Sequence, residues 1–528
     1  MSRRYDGEWV VSSLLLDRAE RFSDDSAVAS PDGTLTYADL VQRASRVAGM
    51  LSEIGVRPGD RVATMLQSTE DYLAAWHGVL WCGAIDVPVN VEFRGRFLEH
   101  VLRDSGAIVL VVDGRWLERL NGIDLGALRH VVAVGEPVGG VTTAVSVHAF
   151  ADALEHEPAD RYCAAETDAT YIIYTSGTTG ASKGAVHNNR SSIHYIMPFV
   201  EGLDLADDDV CYSMFPLFHQ MGRSACTTAA IWVGNRVELR TGFSASGFLD
   251  DIRTSGATWM GYFGAVVLFL WKQEPSPRDR DHALRRAFGS SAPPELIAPW
   301  EERFGVTLYE VYGSTEIGLG SGLGSGPRKL GTMGLPCRHV EVAIVDESEN
   351  PLPPGEIGEA IWRPRYPYSI FQGYWNQPEA TLESWRNLWF HSGDAGYVDD
   401  EGYFVFTDRI KDVIRRRGEN ISSFAVEESV RAQPGVLEVA AYAVTPLAAT
   451  EEEVMVAVVP SGERPDSAVL FQALCETMPR SAVPRYLRFV DELPKTPTQR
   501  VQKFVLREEG ITADSVDREA LGIFPPRE

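Results

Sequence analysis

The stretch Tyr174-Thr175-Ser176-Gly177-Thr178-Thr179-Gly180-Ala181-Ser182-Lys183-Gly184 follows a short apolar segment that is typical of a buried strand. Glycines allow the backbone to approach an anion closely, so that several N–H groups can point into one concavity. The hydroxyl side chains add short hydrogen-bond donors, and Lys183 adds a positive charge on a flexible stem. This composition predicts a cradle for a polyphosphate.

The stretch differs from the common NTPase loop, because Ser182 precedes Lys183 and Gly184 follows it. A loop rich in Gly, Ser and Thr is also typical of a flexible surface turn. The choice between a phosphate cradle and a plain turn therefore depends on the rest of the chain.

The composition of the chain limits its class. With 528 residues it is long enough for several domains, and its formal net charge of −25 argues against a nucleic-acid partner. Six scattered cysteines without a short-spaced pair suggest neither a zinc site nor a disulfide framework. The longest mostly apolar stretch, 257–271, is short for a bilayer span, and no secretion signal opens the sequence. We expect a cytoplasmic protein without a membrane span.

Helical and strand patterns alternate in the first part of the chain. Residues 40–51 predict an amphipathic helix, and 108–112 and 169–174 predict buried strands. From about Val340 the pattern becomes β-rich, with strands expected at 340–345 and 359–363. The alternation favours an α/β fold of layered subdomains with an added β-rich subdomain.

The pattern changes again near residues 408–412. A helix is predicted at 424–433, strands at 439–444 and 454–459, and a second helix at 468–478. We therefore expect a large N-terminal domain, 1–408, and a small mobile α+β C-terminal domain, 409–528.

Further polar stretches stand at intervals along the chain. Tyr312-Gly313-Ser314-Thr315-Glu316 follows an apolar run, and Glu316 is a plausible Mg²⁺ ligand. Asp394 follows a glycine and suits a ribose diol, while Asp408-Arg409 precedes the basic loop 415–421. Each stretch alone also fits a polar turn, a helix cap or a solvated charge run.

Together and in this order, these stretches resemble the adenylate-forming superfamily, which includes acyl-CoA synthetases, peptide-synthetase adenylation domains and beetle luciferases. The resemblance covers nearly the whole chain. The branch that is most similar contains the acyl-CoA ligases related to carnitine-CoA ligase. It is carried by Phe390-His391-Ser392-Gly393-Asp394 and by Ile414-Arg415-Arg416-Arg417-Gly418-Glu419-Asn420-Ile421-Ser422-Ser423.

The resemblance implies a two-step reaction. A carboxylate attacks the α-phosphorus of ATP to give an acyl-adenylate and pyrophosphate, and the thiol of coenzyme A then displaces AMP. It also implies ATP and Mg²⁺ as cofactors, coenzyme A as co-substrate, and a small-molecule acid as partner. Neutralising charge at the α-phosphorus is the physical requirement, because two anions must approach each other.

The resemblance also assigns roles to matching residues of this chain. The implied catalytic residues are Thr175, Lys183, Glu316, Arg409 and Arg500, with Glu316 as the metal ligand. The implied nucleotide-binding residues are Ser176, Gly177, Thr178, Thr179, Gly180, Gly289, Ser290, Ser291, Tyr312, Gly313, Thr315, Asp394 and Arg409. The implied substrate-pocket residues are His219, Arg223, Phe263, Gly264 and Ser314. Lys411 would be the hinge of the small domain, and Arg417, Gly418 and Glu419 would line the coenzyme A tunnel.

One position departs from the family. Relatives carry Gly-Lys where this chain has Gln499-Arg500, and an arginine fork is not equivalent to a compact ammonium at a tight anion site. Lys503 matches a second family lysine. Arg500 either performs the lysine's role, or suits an unusual small anion, or marks the loss of adenylation. The intact phosphate loop, Glu316, Asp394 and Arg409 argue against that loss.

The second explanation has a concrete form. Some similar enzymes use ATP to activate nitrite, forming diazo groups from aryl amines or N–N bonds. Arg223 would be an unusual charge in a fatty-acyl pocket and suits a small anion or a substrate carboxylate. Alternatively, Arg223 faces solvent or a neighbouring acid.

We therefore expect an ATP- and Mg²⁺-dependent ligase that makes an acyl-CoA from a small or polar acid. The alternatives are a nitrite-activating enzyme, such as a diazotase, and a non-catalytic AMP- or ATP-binding module.

Overall fold

The computed structural model describes residues 5–31, 33–137, 139–141, 145–175, 182–323, 326–410, 412, 414–416, 419–421, 423–446, 452–480, 482–495 and 501–525. The chain divides into two compact units. The large unit comprises Met1–Val342, Trp362–Phe390 and Gly402–Phe404, and the small unit comprises Ala343–Ile361, His391–Glu401 and Val405–Glu528.

An eight-stranded sheet forms one part of the large unit. Most of its neighbouring strands are parallel and read as continuous apolar runs, because both faces of such a sheet are covered. The strand order is Gly373–Tyr374, Lys183–Asn188, Ala169–Thr175, Ile85–Pro88, Arg61–Met65, Val109–Asp113, His130–Val134 and Ser146–Ala149.

A seven-stranded sheet forms a second part of the large unit. Its strand order is Thr307–Glu310, Arg286–Ser290, Trp259–Phe263, Val210–Ser213, Arg236–Leu239, Ser26–Ser30 and Gly33–Thr36. Every neighbouring pair in it is parallel except the last, Ser26–Ser30 with Gly33–Thr36. The carboxyl ends of the parallel strands therefore share one edge, which is where open α/β sheets bind ligands.

Helices cover these sheets. The α-helices of the large unit span Val11–Arg21, Tyr37–Glu53, Glu70–Trp81, Gly95–Ser105, Phe150–Glu155, Asn189–Gly202, Ala229–Val233, Phe248–Ser255, Gly264–Trp271, Pro294–Phe304 and Pro378–Ser384. A π-helix spans Met221–Thr228, and 3₁₀ turns span Gly114–Leu120 and Arg386–Leu388. Tyr37–Glu53 begins with a capping box in which Thr36 and Asp39 each accept the other's backbone N–H.

Shorter sheets complete the middle of the chain. A three-stranded sheet contains Tyr312–Ser314, Gly318–Gly322 and Leu335–Pro336, and a four-stranded sheet contains Val340–Val345, Gly358–Pro364, Phe390–Val398 and Phe404–Arg409. The four-stranded sheet contains the strands that the sequence predicts at 340–345 and 359–363, whereas the three-stranded sheet precedes Val340.

The small unit has its own α+β core. A four-stranded sheet of Val436–Val444, Glu453–Pro460, Tyr486–Phe489 and Val516–Asp517 packs with the helices Ser423–Arg431, Ser467–Thr477 and Lys503–Glu509. The strands Ile414–Arg416 and Glu419–Ile421 form an antiparallel pair.

The observed elements confirm the predicted fold class, an α/β chain with a small C-terminal α+β part. The predicted helix at 40–51 is Tyr37–Glu53, and the predicted strand at 340–345 is Val340–Val345. The domain boundary between 408 and 409 stays a prediction. Across the described ranges, no helix has both the length and the apolar character needed to cross a membrane.

Candidate active site

The carboxyl-terminal edge of the seven-stranded sheet brings predicted site residues together. Phe263 and Ser290 are paired in register on neighbouring parallel strands, and Gly289 is paired with Glu310 on the next strand. Residues from three distant parts of the sequence therefore meet at one edge. The sheet order places the predicted pocket residue Phe263 beside the predicted adenine-lining segment 289–291.

Two glycines allow this close arrangement. A Cβ atom at Gly264 would lie 1.8 Å from the Ser291 carbonyl oxygen, and a Cβ at Gly289 would lie 2.1 Å from the Tyr262 carbonyl oxygen. Any side chain at either position would force the backbones apart. The two glycines are thus required by packing.

Glu310 holds the turn that follows Gly289. Ser291 has a left-handed backbone with φ of 67°. The Glu310 carboxylate accepts the Ser291 N–H at 3.0 Å and the Ala292 N–H at 3.2 Å, and it also accepts the Tyr262 hydroxyl. Burial raises the pKa of Glu310 to about 7. Glu310 was not among the residues predicted from the sequence.

Tyr312 is part of an aromatic cluster. Its ring stacks on Trp362 with centroids 5.3 Å apart and meets Phe404 edge-on at 4.9 Å. The following residue, Gly313, lies so close to the Gly318 carbonyl that a Cβ would approach it to 2.3 Å. The segment that leads to Thr315 and Glu316 therefore starts from a rigid anchor.

Thr175 and Lys183 face each other at the ends of two antiparallel strands. They are paired in register, and Thr175 Oγ1 donates to the Lys183 carbonyl at 3.4 Å. The predicted phosphate loop therefore leaves and re-enters the sheet at one place. Its residues Ser176, Gly177, Thr178, Thr179 and Gly180 lie outside the described residues.

Glu316 and Lys183 both contact Tyr374. The Tyr374 hydroxyl donates to Glu316 Oε1 at 2.8 Å, and Ser314 Oγ donates to Glu316 Oε2 at 2.9 Å. The Lys183 ammonium lies 5.0 Å from the centroid of the Tyr374 ring. Tyr374 was not predicted from the sequence, because no local pattern links it to Glu316, which is 58 positions away.

Thr315 is held by a buried histidine. His187 Nε2 lies 2.7 Å from the Thr315 carbonyl oxygen, and His187 Nδ1 lies 3.1 Å from Ser191 Oγ. Burial lowers the pKa of His187 to about 4, so the ring is neutral near pH 7. A neutral ring with Nε2–H donating to Thr315 and Nδ1 accepting from Ser191 satisfies both contacts. His187 was not among the site residues predicted from the sequence.

Arg223 does not point to an open pocket. It lies on the π-helix Met221–Thr228, and it and Asp86 are both fully buried and form an ion pair. Arg223 Nε donates to the Leu217 carbonyl at 3.1 Å, and the guanidinium lies 4.2 Å from the centroid of the Trp76 ring. The structure therefore shows the neighbouring acid that the sequence left open. The contact of Arg223 with a substrate anion stays a prediction.

His219 lies at the turn before this π-helix. Its N–H donates to the Pro216 carbonyl, and its own carbonyl accepts the Arg223 N–H, each at 3.0 Å. Phe215 from the same turn meets Phe263 edge-on with centroids 5.8 Å apart. The turn therefore reaches the sheet edge that carries Phe263, although the substrate contact of His219 stays a prediction.

The small unit contains the remaining predicted residues. Asp394 and Arg409 form an ion pair at 3.4 Å, and the Gly393 carbonyl accepts the Ile410 N–H at 2.9 Å. Lys503 pairs with Glu427 at 2.8 Å. Lys411, Arg417, Gly418 and Arg500 lie outside the described residues, and only the backbone of Glu419 is described, in the strand Glu419–Ile421.

Comparisons with protein families identify the chain. Residues 15–375 match the AMP-binding enzyme family, and residues 425–500 match the AMP-binding enzyme C-terminal domain. The chain therefore belongs to the AMP-binding enzyme family, the adenylate-forming superfamily, as an acyl-CoA synthetase-like ligase. This confirms the resemblance seen in the sequence.

Two characterised relatives span almost the full chain. A crotonobetaine/carnitine–CoA ligase of Salmonella paratyphi A is 30% identical over 506 residues, covering 92% of this chain and 96% of that protein. A feruloyl-CoA synthase of Amycolatopsis sp is 31% identical over 509 residues, covering 95% and 98%.

Solved structures show the same fold. The anthranilate CoA ligase AuaEII in complex with anthranoyl-AMP has a TM-score of 0.85 at 25% identity, over 96% of this chain and 98% of that chain. ATP-bound MatB from Rhodopseudomonas palustris has a TM-score of 0.83 at 25% identity, over 94% and 98%.

Proposed function

We propose that this chain uses ATP and Mg²⁺ to activate a small or polar carboxylic acid as an acyl-adenylate and then transfers the acyl group to coenzyme A. The observation that carries the proposal is the meeting of Lys183 and Glu316 at Tyr374, beside the paired ends of the predicted phosphate loop. A cation and a carboxylate that stay separate suit a polyphosphate and its metal ion, respectively.

In the first step a carboxylate oxygen attacks the α-phosphorus of ATP, the bond between the α- and β-phosphates breaks, and pyrophosphate leaves. Thr175, Lys183 and the loop 176–180 bind the β- and γ-phosphates. Thr315 contacts the α-phosphate, and its carbonyl is already held by His187. This preorganisation keeps the donors in place while charge develops at phosphorus.

The residues around Glu316 fit a magnesium ion. The carboxylate is partly exposed, and the hydroxyls of Ser314 and Tyr374 donate to its two oxygens, so that lone pairs remain for a hard cation. Bound Mg²⁺ neutralises phosphate charge.

Adenine lies against the segment 289–291 and Tyr312, and the ribose hydroxyls bind Asp394. Glu310 keeps the turn at Ser291 in the conformation that lets this segment line a planar ring. Arg409 approaches the ribose and the phosphate, and Arg500 bridges the acid and the α-phosphate in place of the family lysine.

In the second step the thiol sulfur of coenzyme A attacks the acyl carbonyl, the bond to the adenylate oxygen breaks, and AMP leaves while the thiol proton is lost to solvent. The relatives' names support a coenzyme A acceptor, and the anthranilate and feruloyl names support an acid with a polar or aromatic body.

The buried polar side chains that follow His219 in the sequence also favour a small or polar acid. Gln220 Nε2 donates to the Tyr171 hydroxyl at 3.1 Å within this region. A nitrite-activating role loses its main support, because Arg223 is paired with Asp86. Nitrite activation is therefore tested beside the carboxylic acids.

The test measures AMP and pyrophosphate release with a panel of aryl and short polar acids, with and without coenzyme A, and with nitrite plus an aryl amine. We expect acid-dependent pyrophosphate release and coenzyme A-dependent AMP release. Release that requires nitrite and an amine but ignores coenzyme A would replace the proposal with the diazotase. ATP binding without any release would leave a binding module.

Asp394→Ala provides the matched variant for the nucleotide site. The change removes the predicted ribose ligand, so the Michaelis constant for ATP should rise about tenfold or more because charge-assisted hydrogen bonds are lost. Asp400→Ala, an exposed aspartate of the same unit, is the control and should leave ATP use unchanged. Equal behaviour of the two variants would remove Asp394 from the ribose site.

A further inference from the structure

Tyr374 contacts both of the charged side chains that the proposed reaction needs in the large unit. Its hydroxyl hydrogen-bonds Glu316, and its ring face lies under the Lys183 ammonium. One phenol therefore contacts a carboxylate through its hydroxyl and a cation through its ring.

The contact with Glu316 fixes the carboxylate. The hydroxyl of Tyr374 donates to one carboxylate oxygen and Ser314 donates to the other, and the Glu316 backbone carbonyl accepts the Phe371 N–H at 2.9 Å. Mutating a residue that orients a metal ligand by hydrogen bonding typically lowers metal affinity by about 10–100-fold.

The contact with Lys183 is of a different kind. An ammonium 5.0 Å from a ring centroid is attracted to the negative face of the ring. No ion pair joins Lys183 to Glu316 within the described residues. The phenol thus supports the cation without neutralising it, and the charge stays available to an anion.

Tyr374 is itself fixed by neighbours that do not belong to the nucleotide site. It pairs with Ala185 in the sheet, its N–H donates to Thr381 Oγ1 at 2.9 Å, and Phe371 meets its ring edge-on with centroids 5.2 Å apart. A phenol keeps its proton near pH 7, so the hydroxyl remains a donor. The phenol is therefore in place before any ligand arrives.

We propose that Tyr374 is a positioning residue that holds the Glu316 carboxylate and the Lys183 ammonium at a set separation, so that the metal ion and the outer phosphates of one nucleotide are bound together. The inference rests on the proposed function. It predicts that magnesium binding and phosphate binding can be weakened separately, because the hydroxyl acts on Glu316 and the ring acts on Lys183.

The test compares Tyr374→Phe with Tyr374→Leu by isothermal titration calorimetry on the full chain. Phenylalanine keeps the ring and removes the hydroxyl, and leucine removes both. Tripolyphosphate without magnesium reports on the cation, and the gain in ATP affinity on adding MgCl₂ reports on the carboxylate. Neither measurement requires turnover.

We expect Tyr374→Phe to bind magnesium-free tripolyphosphate like the wild type and to lose about tenfold of the gain from magnesium. Tyr374→Leu should show the same loss and should also bind tripolyphosphate about threefold more weakly. Tyr366→Phe, which removes the hydroxyl of a half-exposed tyrosine in the same unit, should change neither quantity.

The proposal is overturned if Tyr374→Phe keeps the full magnesium gain, or if phenylalanine and leucine weaken tripolyphosphate binding equally. Thermal unfolding of each variant separates misfolding from a site defect. A folded Tyr374→Phe chain is sufficient to test the contact with Glu316, even where Tyr374→Leu fails to fold. Failure of the proposed function is distinct, because it would appear as wild-type chain that binds ATP with this pattern yet adenylates no acid.

Discussion

In the large unit, Arg223 and Asp86 form an ion pair that no solvent reaches, whereas Lys183 and Glu316 are partly exposed and both contact Tyr374. Both clusters contain one cation and one carboxylate. In the first, the two charges neutralise each other inside the protein. In the second, a neutral phenol contacts both charged groups and neutralises neither of them.

The difference shows which charges are available to a ligand. A buried pair compensates its loss of hydration by mutual attraction and by hydrogen bonds within the protein, so it cannot release a partner to a substrate at low cost. Partly exposed charges keep part of their hydration and can exchange water for phosphate or metal. We infer that Arg223 serves the fold and that Lys183 and Glu316 serve the reaction.

The largest effect should follow from breaking the buried pair. Arg223→Met leaves Asp86 as an unpaired buried carboxylate and should lower the free energy of unfolding by about 3–5 kcal/mol. Burial already raises the pKa of Asp86, and without the arginine the hydrogen bond from Thr64 is what remains to oppose this shift. The loss of unfolding free energy should therefore grow as the pH rises above the ordinary aspartate pKa. Denaturant titrations at several pH values measure this dependence.

Two further variants make this test specific. Arg115→Met breaks the exposed pair with Asp113 and should cost less than about 1 kcal/mol. The double change Arg223→Met and Asp86→Leu removes both buried charges and should recover most of the stability. A single Arg223→Met variant as stable as Arg115→Met would show that the buried pair has no special role.

The next largest effect should come from a change to Glu316, one of the two partly exposed charges that contact Tyr374. Glu316→Gln keeps the shape of the side chain and removes the charge, so adenylation should slow by about a hundredfold, or about 2.7 kcal/mol in activation free energy. The free energy of unfolding should change by less than about 0.5 kcal/mol. Pyrophosphate release and chemical denaturation measure the two quantities, and Glu274→Gln, an exposed glutamate of the same unit, is the control. A large loss of stability with unchanged rate would reverse the assignment.

Glu310 is an intermediate case, since it is buried and accepts its hydrogen bonds from the neutral donors of Tyr262, Ser291 and Ala292. Its pKa is about 7 in the folded chain and its ordinary value is 4.5, so the folded state favours the protonated form. The free energy of unfolding should then fall by about 1.4 kcal/mol per pH unit between these values and stay level above them. A Glu310→Gln chain should lack this dependence, as thermal and denaturant unfolding from pH 4 to 8 would measure. Parallel curves for the two chains would contradict the shift.

The smallest effect should come from His187. His187→Phe keeps an aromatic ring but leaves the Thr315 carbonyl without its donor, which costs about 1 kcal/mol. We expect a higher Michaelis constant for ATP with an unchanged constant for the acid. His187→Gln restores an N–H near the Nε2 position and should recover ATP use. Failure of glutamine to do better than phenylalanine would limit His187 to packing.

Much of the fold could be predicted from the chain because its signals are local. The amphipathic pattern at 40–51 and the apolar run at 169–174 correspond to Tyr37–Glu53 and Ala169–Thr175, since periodicity along a few turns decides these elements. Site residues could be proposed from the sequence where their motif is contiguous, as at 312–316, and these roles stay predictions. Tyr374, His187 and Glu310 could not be predicted, because each acts on residues far away in the sequence.

The sequence by itself determined the family, the order of the elements and the presence of phosphate- and metal-binding residue types, because contiguous motifs and short-range periodicity carry that information. Only the tertiary structure decided which charges are neutralised and which remain available. Arg223 and Lys183 are both single cations in the sequence. The sheet order and the π-helix place Asp86 against one and the ring of Tyr374 against the other, and burial and ion pairing depend on such distant neighbours.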